Sequence, residues 1–285
     1  MKRLALFALI SLPLLSQRWQ DWRNWKYEDK ETIQRSFTVG GGSKVLVDNI
    51  SGFVHVTGYD GNKIEVDVHK ETRGESNETV AQSKREVKLD IEQVGNTVKL
   101  YVDGPFRNHN GTNYRGESYY GYHVNYDCEI RVPRATVVDL KTINNGDIAV
   151  KGTSGDFTVH GLNGGIDMED VSGSGDVRTL NGKVKVAFAK NPQHDCEFHT
   201  LNGAMDVYFK PPLNADLHFK TLNGGVYSDF DVAPLSTPVS SGNLQNGRYL
   251  YRSGSRNNSG RAGSGGPSLT FNGLNGAIRL HTTTL

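Results

Sequence analysis

The stretch Val177-Arg178-Thr179-Leu180-Asn181-Gly182 decides the fold, because its pattern recurs through the C-terminal half of the chain. Each copy runs apolar, basic, Thr, Ile or Leu, Asn, Gly. Other full copies begin at Leu140, Phe198 and Phe219, and two shorter copies end at residues 162–164 and 274–276. Successive copies place an Asn every 18, 18, 21 and 21 residues, at Asn145, Asn163, Asn181, Asn202 and Asn223. A constant period of this length indicates a repeated structural unit.

Each period holds two short strands and two turns, and two architectures fit this pattern. Asn-Gly between alternating apolar residues is typical of a two-residue hairpin, which would give an antiparallel meander. A β-solenoid would instead pair equivalent strands in parallel and place identical turns above one another. We favour the solenoid, because it explains why Asn, Thr and Leu recur in one register and would form ladders. We expect the turn glycines to adopt positive φ. The predicted structural turns are Asn145, Gly146, Asn163, Gly164, Asn181, Gly182, Asn202, Gly203, Asn223, Gly224, Asn275 and Gly276.

The residues before the repeats predict a simpler, antiparallel strand region. Alternating apolar residues indicate strands at 44–47, 53–56 and 63–68. Strands at 87–91 and 97–102 flank Val94-Gly95-Asn96 and form a hairpin. Residues 77–85 are the only stretch that we predict as helix, with Asn77 as its cap.

The chain divides into four segments by composition. Residues 1–17 resemble a secretory signal, because Lys2 and Arg3 precede an apolar run that is too short for an ordinary membrane span. Residues 18–36 form a polar lead-in that carries Trp19, Trp22 and Trp25, and we expect it to be mobile or lightly docked. Residues 37–133 are the N-terminal β region. Residues 134–285 are the repeat region, interrupted by a Ser-, Gly- and Asn-rich insertion at 235–267 that we expect to be flexible.

The balance of charges argues against nucleic acid and anionic membranes as partners. The chain has 32 Lys plus Arg and 31 Asp plus Glu, a formal charge of +1, so no global field favours nucleic acid or an anionic membrane. A charged partner must therefore be recognised locally.

The two cysteines, Cys128 and Cys196, could pair after export, or could be two small buried hydrophobic residues. We favour the second reading.

Enzymatic chemistry is poorly supported by the sequence. Asp147, Asp156 and Asp176 each follow a turn glycine, and a glycosidase would need two such carboxylates close together on one face. Their periodic placement is better explained by turns, where Asp accepts hydrogen bonds from backbone donors. The nine histidines are scattered, and no calcium repeat, phosphate loop or dinucleotide motif is present. We therefore predict no catalytic residue, no metal site and no cofactor.

Two groups of residues are candidates for binding a partner. The first, the basic column, comprises the basic residues of the four full copies: Lys141, Arg178, His199 and Lys220. It could bind an acidic glycan, or it could be an ordinary solvated face. The second is a tyrosine-rich loop, where tyrosine offers apolar area and a polar tip. Its rings could equally cap one end of the strands: Tyr114, Tyr119, Tyr120 and Tyr122.

The segment VLVDNISGFVHVTGYDG at residues 45–61, followed by a strand and by the Leu-Asn-Gly turns, resembles the bacterial putative-adhesin domains of unknown function. These are exported β-strand-repeat proteins, similar to the head domain of autotransporter adhesins. The resemblance covers roughly residues 36 to 285 and implies a single-stranded β-helix in the cell envelope. It predicts a non-enzymatic adhesin or surface-interaction scaffold in the periplasm, at the cell surface or secreted. The alternative is a polysaccharide lyase or glycosidase on the same scaffold.

The expected partners follow from this reading. They are a glycan or cell-surface polymer, or another envelope protein. Nucleic acid is not expected, and a membrane would be contacted only through the signal segment if it stays uncleaved.

Overall fold

The computed structural model describes residues 25–108, 111–112, 117–235, 243–245, 248–251 and 257–283. These residues form an all-β protein with two short helices, as the sequence predicts. The signal segment, the residues that carry Trp19 and Trp22, and Tyr114 lie outside the described residues.

The N-terminal part contains nine strands and both helices of the described chain. They are β1 (Tyr27–Thr38), β2 (Lys44–Asp48), β3 (Val54–Tyr59), β4 (Lys63–Gly74), α1 (Asn77–Glu86), β5 (Lys88–Val94), β6 (Thr97–Asp103), β7 (Arg107–Asn108), β8 (Gly111–Thr112), α2 (Glu117–Tyr120) and β9 (Tyr122–Pro133).

The repeat part follows as a series of short strands. They are β10 (Val137–Thr142), β11 (Ile148–Lys151), β12 (Phe157–Gly161), β13 (Ile166–Val171), β14 (Gly175–Asn181), β15 (Val184–Phe188), β16 (Cys196–Asn202), β17 (Met205–Phe209), β18 (Ala215–Asn223), β19 (Val226–Ser228), β20 (Val232–Pro234), β21 (Asn243–Gln245), β22 (Arg248–Tyr251), β23 (Asn257–Ala262), β24 (Ser268–Asn275) and β25 (Ile278–Thr282).

Most strands belong to two large mixed sheets. The first sheet has the order β1-β4-β9-β3-β11-β13-β15-β17-β25-β19-β22-β21. The second has the order β20-β23-β18-β24-β16-β14-β12-β10-β2-β6-β5. From β10 to β17 the chain alternates between the sheets, so even-numbered strands lie in the second sheet and odd-numbered strands in the first.

The Asn-Gly turns join strands of different sheets. β14 ends at Asn181 in the second sheet, and β15 begins at Val184 in the first. Each strand pairs in parallel with its equivalent one period away, as in the register Val159, Val177, Phe198 across β12, β14 and β16. The turns therefore do not close hairpins, and the meander alternative is wrong.

The core lies between the two sheets. Alternate residues of each strand point inward, such as Val184, Val186 and Phe188 of β15, and all three are buried. Phenylalanine rings of neighbouring strands stack on one another, with 5.3 Å between the ring centres of Phe188 and Phe209 and 5.1 Å between those of Phe198 and Phe271. Burial of these β-branched and aromatic side chains is the main driving force for folding.

The strands before residue 133 extend the same two sheets, and only part of this region is antiparallel. β2 pairs in parallel with β10, and β3 pairs in parallel with β9 and β11. Antiparallel pairing occurs among β1, β4 and β9, in the β5–β6 hairpin and between β7 and β8, which form a small sheet of their own. The hairpin has the predicted position, and Gly95 in its turn has a φ of +59°.

Two local predictions are wrong. The lead-in was expected to be mobile or lightly docked, but from Tyr27 onward it forms β1, twelve residues paired along their whole length with β4. Only every fourth residue of β1, Asp29, Ile33 and Phe37, is half-buried and the others are exposed, so the strand lacks the apolar alternation that would reveal it in the sequence. The helix is capped by Ser76 rather than Asn77, since Ser76 and Thr79 exchange side-chain to backbone hydrogen bonds.

The insertion at 235–267 also differs from expectation. Its described residues are not a flexible linker, because they form β21, β22 and β23, which pair antiparallel with neighbouring strands. β23 pairs with the outer edge of β18, and β20 pairs with the other edge of β23. The polar composition of these strands, which lie at the ends of the two sheets, concealed them in the sequence.

The last two strands are not last in the sheets. β24 lies between β16 and β18, and β25 lies between β17 and β19. After the insertion, residues 268–282 therefore lie between two earlier strand pairs, with β16 and β17 on one side and β18 and β19 on the other. We expected these residues to follow the earlier repeats in order.

The cysteines are unpaired and buried in different sheets, Cys128 on β9 and Cys196 on β16. Burial raises the pKa of Cys128 to about 12 and that of Cys196 to about 11. Both therefore act as small apolar core residues.

Candidate interaction surface

The asparagines of the repeat form a continuous ladder of side-chain amides. In the spatial order Asn144, Asn163, Asn181, Asn202, Asn275, Asn223, each Asn after the first donates from its Nδ2 to the Oδ1 of the Asn before it, at 2.7 to 3.2 Å. The first member is Asn144, not the predicted Asn145, which has a φ of +52°. The doubled Asn of that copy concealed the true register. The ladder follows the spatial order of the strands, including the inserted β24.

The threonines and glycines of the motif also join neighbouring turns. The Oγ1 atoms of Thr179 and Thr200 donate to the backbone carbonyls of Gly164 and Gly182 at 2.9 Å. A Cβ atom on Gly182 would lie 2.0 Å from the Gly164 carbonyl oxygen. Close approach of the next turn, rather than the expected positive φ, is therefore what requires glycine there; among the predicted turn glycines only Gly276 has a φ in that range, +144°.

The leucines of the motif are exposed. Leu162, Leu180 and Leu201 expose 38 to 39% of their surface, and Leu222 exposes 50%. Strand pairing aligns them with Ile143 and Leu274, which are half-buried. We call this line the leucine edge, with the spatial order Ile143, Leu162, Leu180, Leu201, Leu274, Leu222.

The basic column lies beside the leucine edge on the outer face of the second sheet. Arg178 and Leu180 are exposed, whereas Val177 and Thr179, which alternate with them along the strand, are buried, so the two exposed side chains share a face. The predicted residues align, but His160 lies between Lys141 and Arg178, and Asn272 lies between His199 and Lys220. The column is therefore interrupted by two less basic side chains.

Carboxylates balance the centre of the basic column. Arg178 donates to Asp176 at 2.6 and 2.8 Å and to Glu197 at 3.0 Å. His160 Nε2 lies 2.6 Å from Asp176, and His199 Nε2 lies 3.2 Å from Glu197. Burial raises the pKa of Asp176, but hydrogen bonds from His160 and Arg178 outweigh it and hold that pKa below its usual value.

This cluster also brings together three potential metal ligands, which sequence reasoning missed. Ligand atoms of Asp176, Glu197 and His199 lie within 4.8 Å of one another. Only the strand register shows this, because β14 and β16 are 21 residues apart in the repeat. The guanidinium of Arg178 already bridges the two carboxylates and supplies their counter-charge. The arrangement is that of an ion-pair network.

The turn aspartates are hydrogen-bonded to the backbone of neighbouring turns. Asp147 Oδ1 accepts from the Gly165 N–H at 2.6 Å, and Asp156 Oδ1 accepts from the Ser174 N–H at 3.0 Å. Asp127 and Asp195 do the same for Phe53 and Ser268. These aspartates therefore have the structural role that turn chemistry predicts.

The tyrosine loop divides between core and surface. Tyr122 is buried and donates to Glu86 at 2.6 Å, while Tyr119 is 62% exposed. Tyr120 is half-buried and contacts Phe106, Tyr119 and Tyr122 through its ring. Of the described tyrosines, Tyr119 is thus the one that presents most of its ring to solvent.

A cleft of about 490 Å³ lies between the edge strands β1 and β5. Ile33, Leu89 and Ile91 form its apolar wall, and charged residues such as Arg35 and Lys99 line the remainder. Its size falls within the range of small-molecule sites. The sequence did not indicate it, because β1 was not predicted as a strand.

No described helix is long and apolar enough to span a membrane. No protein-family model and no curated protein matches the chain. The chain is similar to a solved structure of a putative cell adhesion protein from Clostridium sporogenes, with 12% identity and a TM-score of 0.37 over 89% of this chain and 100% of the other.

A second solved structure, a putative adhesin from Bacteroides fragilis, has 12% identity and a TM-score of 0.38 over 89% and 97% of the two chains. A third, a putative lipid binding protein from Parabacteroides distasonis, has 13% identity and a TM-score of 0.25 over 89% of this chain and 97% of the other. The names of the first two agree with the resemblance to putative adhesins found in the sequence.

Proposed function

We propose that this protein is an exported, non-enzymatic β-solenoid that serves as a surface-interaction scaffold in the cell envelope. The observation that carries the proposal is how the repeat uses its polar residues. Hydrogen bonds join neighbouring turns. They are formed by the side chains of the motif Asn and Thr residues, by the side chains of the turn Asp residues and by the backbone of the Gly residues. The repeat thus supports a rigid face and leaves partner contacts to the exposed residues beside it.

The solenoid interpretation rests on three features. Strands alternate between two sheets, equivalent strands pair in parallel, and one amide ladder runs through six turns. Parallel pairing of successive equivalents is typical of chains that coil around a common axis. The coil would be bounded at one end by β1 and the β5–β6 hairpin, and at the other by the antiparallel strands β20 to β23.

Export is supported by the N-terminal residues alone. Lys2 and Arg3 followed by an apolar run are typical of a secretory signal. Cell fractionation with mass spectrometry of the N-terminus tests this. Recovery in the envelope or medium, cleaved near residue 17, would support export, and an uncleaved cytosolic protein would refute it.

A binding role is favoured over hydrolysis by the state of the carboxylates. Every described Asp or Glu whose pKa is shifted has it lowered, as for Asp176 and Asp206. A glycosidase general acid instead needs a raised pKa. The enzyme alternative therefore has no specific observation in its favour among the described residues.

The proposed contact surface is the basic column, with an acidic glycan or surface polymer as its partner. Lys141 and Lys220 are exposed at its two ends, and neither forms an ion pair with the described residues. Two lysines in this state can bind anionic groups without breaking existing contacts. Tyr119 is a second proposed contact residue.

Binding to a panel of neutral and acidic envelope polysaccharides tests the proposal. We expect binding to acidic members, release of no reducing ends, and at least about fivefold weaker binding for the Lys141→Ala/Lys220→Ala variant. Lys63→Ala, at the exposed first residue of β4, is the matched control. Release of oligosaccharides would refute the non-enzymatic role. Equal binding by the unmodified chain, the double lysine variant and the Lys63→Ala control would refute the proposed contact surface.

A further inference from the structure

The leucine edge is the part of the repeat motif that the fold does not use. The hydroxyls of Thr142, Thr179 and Thr200, the Asn amides and the Gly backbones contact neighbouring turns. The hydrophobic core does not require leucine at the remaining position, because the leucines of four copies expose 38 to 50% of their surface to solvent. A contiguous exposed apolar line in a soluble domain marks a contact site.

The geometry makes this line an edge and not a groove. Each leucine is the last outward-facing residue before the chain turns from the second sheet to the first, as Leu180 is before Asn181 and Gly182. Six neighbouring strands give a straight line about 24 Å long, because parallel strands are about 4.8 Å apart. The leucine edge therefore projects as a narrow ridge.

Small residues on the far side of each turn leave the ridge clear. After each Asn-Gly pair the next residue is Gly165, Ala204, Gly225 or Ala277 in four of the six copies. None of these side chains can cover the leucine beside it. A flat partner can therefore approach the ridge from both sides.

Basic side chains lie nearer to the leucine edge than acidic ones do. On β14, Arg178 is two residues from Leu180 on the same face, and Asp176 is four residues away. Lys141 stands in the same relation to Ile143, and Lys220 to Leu222. An acidic residue at the third position recurs only on β10 and β16, as Asp139 and Glu197. A surface that touches the two ends of the leucine edge thus meets a lysine next.

We propose that the leucine edge binds the surface of a lipid bilayer that contains anionic phospholipids. The leucines insert into the interfacial zone, and Lys141 and Lys220, which form no ion pair with the described residues, lie against the phosphates, as in amphipathic surface binding by helices. A protein partner fits less well, because the ridge is one side chain wide and has no pocket, whereas stable protein interfaces bury about 800 Å² on each side.

This inference deepens the proposed surface-interaction function and rests on it. It assigns the leucines a partner that the basic column alone does not explain. The formal charge of +1 gives no global attraction to membranes, so this contact depends on the local arrangement.

A fluorophore on the ridge tests the contact directly. Leu201→Cys labelled with an environment-sensitive dye should brighten and shift to the blue on vesicles of phosphatidylcholine with phosphatidylglycerol. The native cysteines do not interfere, because burial raises the pKa of both thiols to about 11 or above. Val94→Cys is the control, since Val94 is 68% exposed in the β5–β6 turn, away from the ridge.

Vesicle partition of the full chain gives a second readout. Replacing three leucines with glutamine, Leu180→Gln/Leu201→Gln/Leu222→Gln, should weaken partition by at least about tenfold, because each loses part of the transfer free energy of one leucine. Val94→Gln should match the unmodified chain. Residues 4–15 are apolar but identical in all variants, so they contribute equally.

The outcomes separate this inference from the proposed function. A dye on position 201 that stays unchanged on vesicles would overturn the inference, and so would equal partition of the triple variant and the unmodified chain. Loss of a dimer in the triple variant, with no vesicle binding, would assign the edge to a second copy instead. Polysaccharide binding through Lys141 and Lys220 without vesicle binding would leave only the proposed function standing.

Discussion

Two adjacent glycines, Gly164 and Gly165, allow the contact between turns to be tested with one methyl group. A Cβ atom on Gly164 would lie 2.1 Å from the carbonyl oxygen of Gly146 in the neighbouring turn. On Gly165 the nearest atoms would lie 3.5 Å away, which is ordinary van der Waals contact. Neither glycine has a φ in the positive range, so the comparison isolates the contact from backbone strain.

The expected cost of Gly164→Ala comes from separating two turns that are already packed. The methyl group needs roughly 1 Å of extra space, and overpacking of this kind costs about 1–3 kcal/mol. The movement also strains the Gly164 N–H bond to the Asn181 carbonyl and the Thr179 hydroxyl bond to the Gly164 carbonyl, at about 1 kcal/mol each. The total is about 3–5 kcal/mol, a large part of the stability of an ordinary domain.

Urea denaturation followed by circular dichroism measures the difference. We expect Gly164→Ala to lower the free energy of unfolding by about 3–5 kcal/mol. Gly165→Ala should change it by less than about 1 kcal/mol, with stabilisation favoured because alanine restricts the unfolded chain. Equal effects of the two substitutions would refute close turn packing as the reason for the recurring glycine.

Three further predictions concern the ladder, the buried ion pairs and the thiols. Asn181→Ala removes two amide hydrogen bonds and should lower the free energy of unfolding by about 1–2 kcal/mol, whereas Asn62→Ala in an exposed turn should not. Burial raises the pKa of Asp206, but hydrogen bonds from Lys183 and His281 hold it below its usual value, so its stabilisation is present above about pH 4 and is lost as pH falls further. Asp206→Asn should therefore be destabilised at pH 7, with a difference from the unmodified chain that shrinks in acid; a constant difference would contradict this. The thiols of Cys128 and Cys196 should react with a disulfide reagent at pH 8 only on unfolding, and rapid native reaction would refute their burial.

The sequence predicted the repeat unit well because its signal is local and periodic. Asn181-Gly182 and its equivalents revealed the register, and alternation of apolar residues located most strands. The structural role of Asp147 and Asp156 also followed from their position beside glycine. Each of these features depends on residues close together in the chain.

Features that depend on distant residues were not predictable. β24 fits between β16 and β18, and β25 fits between β17 and β19, through pairing with residues far away in the chain, which local pattern does not encode. The carboxylate and histidine cluster around Arg178 needs the same long-range register. The sequence did not indicate that Leu180 is exposed. Alternation shows which residues share a face of a strand. It does not show which face meets the core at the end of the strand, because that depends on where the chain turns.

The central claim is that the recurring turns lie directly above one another, with the C-terminal copy inserted between the two copies before it. Disulfide formation between ladder positions tests this most directly, because cysteines pair only when their Cα atoms are about 4.4–6.8 Å apart. Neighbouring positions are about 4.8 Å apart and positions two strands away are about 9.6 Å apart. The structure predicts rapid oxidation of Asn202→Cys/Asn275→Cys and none of Asn202→Cys/Asn223→Cys. Oxidation of the second pair and not the first would contradict the inserted order and restore a stack that follows the sequence.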